Sequence, residues 1–494
     1  MIRQICLALV ISGLAALALR DWYKSLCGLI LLVGIVEHPD MPKSIFGIQG
    51  LNPWNILLVV VLGAWLLNRG QEELEWDMPF AVQALLAIYL LIIGVGFFRL
   101  VMDMGGFVDY YESFDTEPPS RISVTSEFLI NCVKWIVPGV LLFDGCRSLS
   151  RFKQGLFSLL GIYLLLGIQI IRWMPLDAVL TGGELSARSL KILINEVGFH
   201  RVNLSMMMAG GFWAMLCSYV MGENGVQRVM ILTSALVVLF AQSLTAGRAG
   251  YATWAVIALF ASLFKWRKLL LFIPILIITV TFFVSSVSER FLQGLAKPQS
   301  QEYTDDGVSV EYDISLEDAD LYVITAGRNI AWPLVIEKIG EAPLFGYGRE
   351  GMKQTGTAQE LIRYYGESFP HPHNAYLELV LDNGVIGAIL VLLFYIVIVK
   401  YSLSLFMDSR SRLYRAGGGV CLFLVMAFMV AGVGSQTFYP REGAVGMWCA
   451  IGLMLRIHVK REKAQELGES EVAVAAFGSM SMDRGDDPAK TGFY

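Results

Sequence analysis

Apolar residues come along this chain in blocks, mostly of roughly 15 to 23, that recur almost from end to end. They lie near 5–19, 24–36, 54–68, 79–100, 127–143, 154–171, 203–221, 228–243, 249–264, 268–287, 384–399, 417–434 and 443–458. A helix needs about 20 such residues to cross a hydrocarbon core of about 30 Å, and it satisfies its own backbone hydrogen bonds while doing so. The pattern predicts an all-α polytopic membrane protein with about 12–13 transmembrane helices. The first block follows a short charged head, as in a signal peptide. Further blocks follow at once and no cleavage site stands out, so it reads as a membrane segment.

Polar positions between the blocks supply direction, because Lys and Arg near span ends favour the cytoplasm. Three loops carry them: KWRK (265–268), KYSLSLFMDSRSRLYR (400–415) and RIHVKREK (456–463). All three fall inside if the intervening spans alternate; DGCRSLSRFK (144–153) joins them, and the acidic loop 103–121 falls outside. Before residue 40, two short spans would put the N-terminus outside and one re-entrant piece would put it inside. The organisation expected is N-terminal transmembrane helices over 1–200, more over 201–287, one large outer loop over 288–372, C-terminal helices over 373–458, and a disordered cytoplasmic tail over 459–494. The large loop opens with an acidic, turn-rich part that suits a solvated surface. It continues as TAGRNIAWPLVIEKIGEAPLFGYGREG (325–351), an amphipathic helix pattern running into a tight glycine-rich turn.

Composition adds little to this picture. The chain is 55% hydrophobic and 16% charged, and its net charge of −5 is spread over many loops, so no nucleic-acid partner is indicated. The seven cysteines lie in or beside apolar blocks with no CxxC pair, which argues against a disulfide framework or a cysteine metal site.

Candidate chemistry gathers in His371–Gly387, HPHNAYLELVLDNGVIG, where two of the five histidines stand at the mouth of an apolar helix. From Asn374 the run reads as one helix, with Asn374 and Glu378 one turn apart on a shared face. Gly384 and Gly387 remove side chains three residues apart, which would let a neighbouring helix approach closely. Pro372 biases His371 toward an extended conformation outside the helix, so its ring need not point where that of His373 points. By itself an HPH pair suits a capped helix start, a weak metal site or a catalytic base. Arg248, in SLTAGRAGYATWAV, is a cation at the outer end of a span, either functional or reaching for the headgroups. Arg328, in ITAGRNIAW, also follows an Ala-Gly pair. The expected topology puts Arg248, Arg328 and His373 on one side of the membrane. Two guanidinium forks suit the oxygens of a diphosphate, and an imidazole can accept a hydroxyl proton. With no HExxH, zinc hydrolysis is poorly supported.

These residues also carry a resemblance. His373-Asn374, a nine-residue spacer and then Gly384-Val385-Ile386-Gly387 resemble the signature of the O-antigen ligase and O-antigen polymerase superfamily. LTAGRAG (244–250) resembles that family's Leu-Thr-x-Ser-Arg-Gly segment, with Gly247 where serine is usual, and 326–351 resembles its outer-loop segment. The resemblance covers roughly residues 200–460. It implies glycan transfer from a polyprenyl-diphosphate carrier to a lipid A-core or growing polysaccharide acceptor, at the periplasmic face of a bacterial inner membrane. Neither cofactor nor obligatory metal is implied. Carried over by position, Arg248 and Arg328 match the diphosphate-binding arginines and His373 the essential histidine, with Asn374, Glu378, Gly384 and Gly387 in support. Within the family, a protein O-oligosaccharyltransferase differs only in acceptor. A transporter is the alternative from another class, against which stand the few ionisable residues inside the spans.

Overall fold

The computed structural model describes residues 2–466 except 46, 176–184, 272–273, 276–277, 279–295, 305–306, 315–324, 367–368 and 435–436. Among the described residues, eight helices are long and apolar enough to cross a membrane: Phe80–Met102, Arg121–Gly145, Leu149–Trp173, Arg201–Met221, Gly225–Leu244, Ala375–Met407, Arg412–Gly432 and Glu442–Glu466. Four shorter apolar helices join them, Arg3–Ala18, Trp22–Ile35, Pro53–Arg69 and Arg248–Phe264. Twelve of the thirteen apolar blocks are thus helices, and the molecule is an all-α polytopic membrane protein. The remaining block, 268–287, lies mostly outside the described residues.

Polar residues ahead of the blocks fix where the helices begin. Asn52, Ser148 and Asn224 each accept a hydrogen bond from a backbone N–H in the first turn of the helix that follows, satisfying donors that the helix itself cannot. Arg201–Met221 and Glu442–Glu466 run through the middle of the bundle and are mostly buried, whereas Phe80–Met102 and Gly225–Leu244 turn most of their apolar surface outward. Around Arg201–Met221 pack Gly225–Leu244, Arg248–Phe264 and Arg412–Gly432; Ala375–Met407 lies between Arg412–Gly432 and Phe80–Met102.

At the end of the bundle rich in Lys and Arg, the last helix continues to Glu466, so 459–466 is not part of a disordered tail. Its basic side chains have partners: Lys463 pairs with Asp77 at 2.8 Å, Arg456 with Asp77 at 2.7 Å, and Lys460 donates to the Arg147 carbonyl at 2.6 Å. Residues 467–494 lie outside the described residues. In the large loop, the acidic part forms an antiparallel hairpin, Ala296–Thr304 with Gly307–Ile314, and Arg328–Glu341 forms the expected helix.

Candidate active site

The site is built on a helix that is broken where it was expected to be continuous. Asn374 caps Ala375–Met407, its side chain accepting from the backbone N–H groups of Tyr376 at 3.0 Å and Leu377 at 3.2 Å. Two turns in, Gly384 has φ 66° and ψ 179°, a conformation essentially reserved for glycine, and the regular hydrogen bonding stops. The glycine-rich turn of the large loop crosses the gap. Tyr347 and Gly348 donate to the orphaned carbonyls of Leu381 and Asp382 at 2.9 and 2.7 Å, and Val385 donates to the Pro343 carbonyl at 2.8 Å. Arg99 clamps the turn from Phe80–Met102, donating to the carbonyls of Phe345 and Gly346, each at 2.6 Å. Irregular backbone in a span survives only where protein replaces the missing partners, and here the turn replaces them. What packs against Gly384 is therefore this turn and not a neighbouring helix. Gly387 does face one, toward Ile92.

The turn also delivers Arg349 into the protein. Its guanidinium, 2% exposed, bonds Glu378 at 3.0 Å and Asp382 at 3.3 Å and lies 3.5 Å above the Tyr439 ring. The Tyr439 hydroxyl donates to Asp382 at 2.8 Å, and the Gly351 N–H donates to the same carboxylate at 2.9 Å. Glu350 pairs with Lys353 at 2.6 Å. Although burial opposes its charge, Lys353 and Arg349 outweigh that and hold the Glu350 carboxyl below the ordinary range. Glu378 is thus a partner of Arg349, and Asn374 is a helix cap.

Arg248, Arg328 and His373 come together beside this scaffold. Arg248 and Arg328 are each the first residue of a helix, and each lies within electrostatic reach of the other. The two Ala-Gly-Arg segments are built alike: Ala246 has φ 51° and Ala326 φ 52°, left-handed values that L residues rarely adopt, followed by a glycine at the cap. His373 repeats the pattern, with φ 50° ahead of the Asn374 cap. Arg328 donates to the carbonyls of Thr325, at 2.9 Å, and Gly434, while its buried Nε has no hydrogen-bond partner among the described residues.

Two residues that the sequence reading passed over complete the cluster. His200 caps Arg201–Met221, and its charge and those of Arg328 and His371 act on His373; Arg201 acts on His200 and Arg248. Four helix N-termini, those of the helices starting at 201, 248, 328 and 375, thus meet at one place, and each carries a cationic or imidazole side chain. Helix N-termini attract anions through unsatisfied N–H groups and the helix dipole. Burial, followed by His371, Arg328 and His200, pushes the His373 imidazole down to about 3. His371 is lowered chiefly by its own burial. The two rings lie close together. Their centroids are 4.1 Å from each other, because the left-handed turn at His373 folds the chain back and lets its N–H donate to His371 Nδ1 at 3.3 Å.

At Gly247, a Cβ would lie 2.5 Å from Ser205 Cβ, and the Ser205 hydroxyl donates to the Gly247 carbonyl at 3.0 Å. The hydroxyl that a serine would bring to this position stands on the adjacent helix instead.

Comparison with known proteins bears on the same stretch. Proteins provisionally named polysaccharide ligases from Rickettsia conorii and Rickettsia felis are 38% identical over 81 residues and 35% identical over 101 residues. The matches cover 15% and 19% of this chain and only 19% and 24% of those relatives. A family model described as O-antigen ligase matches residues 229–392, narrower than the span the resemblance suggested. The region holding Arg248, Arg328, His373 and the Gly384 break is thus a match to the O-antigen ligase family.

Proposed function

We propose that this protein moves a glycan from a polyprenyl-diphosphate carrier to a hydroxyl of an acceptor, a lipid A-core or a growing polysaccharide, at the periplasmic face of a bacterial inner membrane. The observation that carries the reading is the meeting of Arg248, Arg328 and His373 at four helix N-termini. Such a site suits a diphosphate, since guanidinium forks and helix N–H groups hold its oxygens and offset the charge that grows on it as it leaves. In the transfer, the acceptor oxygen bonds to the anomeric carbon, the bond from that carbon to the diphosphate oxygen breaks, and the acceptor's proton passes to His373. The low affinity of His373 for a proton keeps it neutral, as a base must be. A bound diphosphate opposes the surrounding cations and strengthens that base when the donor is present. The sidedness rests on the short basic loops 265–268, 400–415 and 456–463, which lie at the other end of the bundle.

A reconstituted assay with a polyprenyl-diphosphate glycan donor tests the reading. His373→Ala should bind carrier as the wild type does and lose about 10² to 10⁴ in transfer rate. His371→Ala removes one hydrogen bond to the His373 backbone, worth about 0.5–1.5 kcal/mol, and should lose about tenfold at most. Wild-type turnover by His373→Ala would overturn the assignment.

A further inference from the structure

Behind Arg349, at the same end of the bundle as the cationic cluster, lies a second and chemically different cavity of about 410 Å³. Arg349 and Tyr439 form its inner wall, and Asn55, Glu127, Asn131, Lys134, Arg441 and Glu442 are among the groups that face it. Carboxylates, amides and cations alternate around the wall, whereas the His373 cluster presents cationic and imidazole groups. Lys43, Lys134, Arg349 and Arg441 are interleaved with Glu37, Glu127 and Glu442, so a diphosphate would meet carboxylates as well as cations there. An uncharged polyol suits such a wall, since each of its hydroxyls both donates and accepts and so needs mixed partners. The amide of Asn131 bonds Glu127 at 2.9 Å, and Asn55 Oδ1 is buried without a hydrogen-bond partner among the described residues, an acceptor available to a ligand hydroxyl. The cavity is contiguous with a groove past Ile122 and Ile130, 73% and 54% exposed, so it opens on the apolar flank of the protein. It also adjoins the reaction centre, for Arg441 on its rim and Glu378 behind its wall both act on His371.

We propose that this cavity is a glycan subsite, binding the sugar hydroxyls of one of the two substrates while the cationic cluster holds the diphosphate. The inference rests on the transferase reading and deepens it. The probes are the free glycan released by mild acid from the producing cell's own lipid carrier and the free glycan of the acceptor, each titrated calorimetrically into full-length protein in nanodiscs. Wild type should bind at least one of them, and Arg328→Ala should bind it equally. Asn131→Leu, which replaces the amide by an apolar side chain of the same heavy-atom count, should weaken binding about tenfold. Arg441→Ala, at an exposed position where folding is not at stake, should weaken it severalfold. In transfer assays the same two variants should raise the KM of the acceptor, which assigns the cavity to it, or of the donor, which assigns it to the donated chain. Wild-type glycan affinity and unchanged KM for both substrates in both variants would overturn the inference. The transferase reading fails separately, if Arg328→Ala and His373→Ala keep full transfer.

Discussion

Replacing Gly384 by alanine tests whether the turn of the large loop is part of the membrane span. A Cβ at this position would lie 2.1 Å from the Leu344 carbonyl oxygen and 2.4 Å from Phe345 N, backbone atoms that cannot rotate away. Alanine is also strained at φ 66° and ψ 179°, by about 1–3 kcal/mol. Relief requires either that the turn lift off, or that the helix reclose and eject it. In both cases at least two crossing hydrogen bonds are lost, at about 0.5–1.5 kcal/mol each and more if the freed groups face lipid. The expected cost is therefore about 2–6 kcal/mol. Arg349 would leave Glu378 and Asp382 along with the turn, so transfer should fall with stability. The assay is thermal unfolding of the detergent-purified protein, read beside transfer activity. Gly340→Ala is the control, since a Cβ there meets nothing within 4 Å and the helix gains from alanine. If Gly384→Ala melts and turns over as Gly340→Ala does, the bridging role of the turn is refuted.

Three further outcomes follow from the site. Lysine at position 248 or 328 should rescue poorly, because an ammonium cannot reproduce the fork; losing charge-assisted bonds of about 1.5–3 kcal/mol costs about ten- to a hundredfold in kcat/KM, and wild-type kcat/KM in Arg328→Lys would refute it. Because burial and, after it, the neighbouring cations hold the free His373 imidazole near 3 and a bound diphosphate offsets the cations, the acid limb of kcat should lie at higher pH than that of kcat/KM; the reverse order in pH-rate profiles would count against His373 as base. Gly247→Ser should destabilise by about 1–3 kcal/mol through its clash with Ser205, and the double change with Ser205→Gly should restore the melting temperature, an additive loss being the refuting result.

The spans were legible because a 20-residue apolar block has few alternatives in a chain this hydrophobic. The break at Gly384 was not, since the same Gly-x-x-Gly spacing describes close helix packing, and only the arrival of residues 343–348 from elsewhere in the chain separates the two. Arg349 stood in plain view in FGYGREG, but its partners Glu378 and Asp382 are 29 and 33 residues away, beyond any local periodicity. His200 and Arg201 carried a signal that went unused: like Arg248, they are basic residues at the mouth of an apolar block. The repeated Ala-Gly-Arg was visible as letters, and its meaning, a left-handed alanine turning an arginine onto a helix start, needed dihedral angles.

The bonds between the turn and the broken helix tie two parts of the chain into one inheritable unit. Residues 342–350 are made before 375–407, yet the later segment cannot settle as a span until the earlier one is seated in it. An exchange of outer loops between related proteins would separate a plug from its socket. Recombination has to carry both together, from Ala342 through Met407, with Arg99 retained to hold the plug in place.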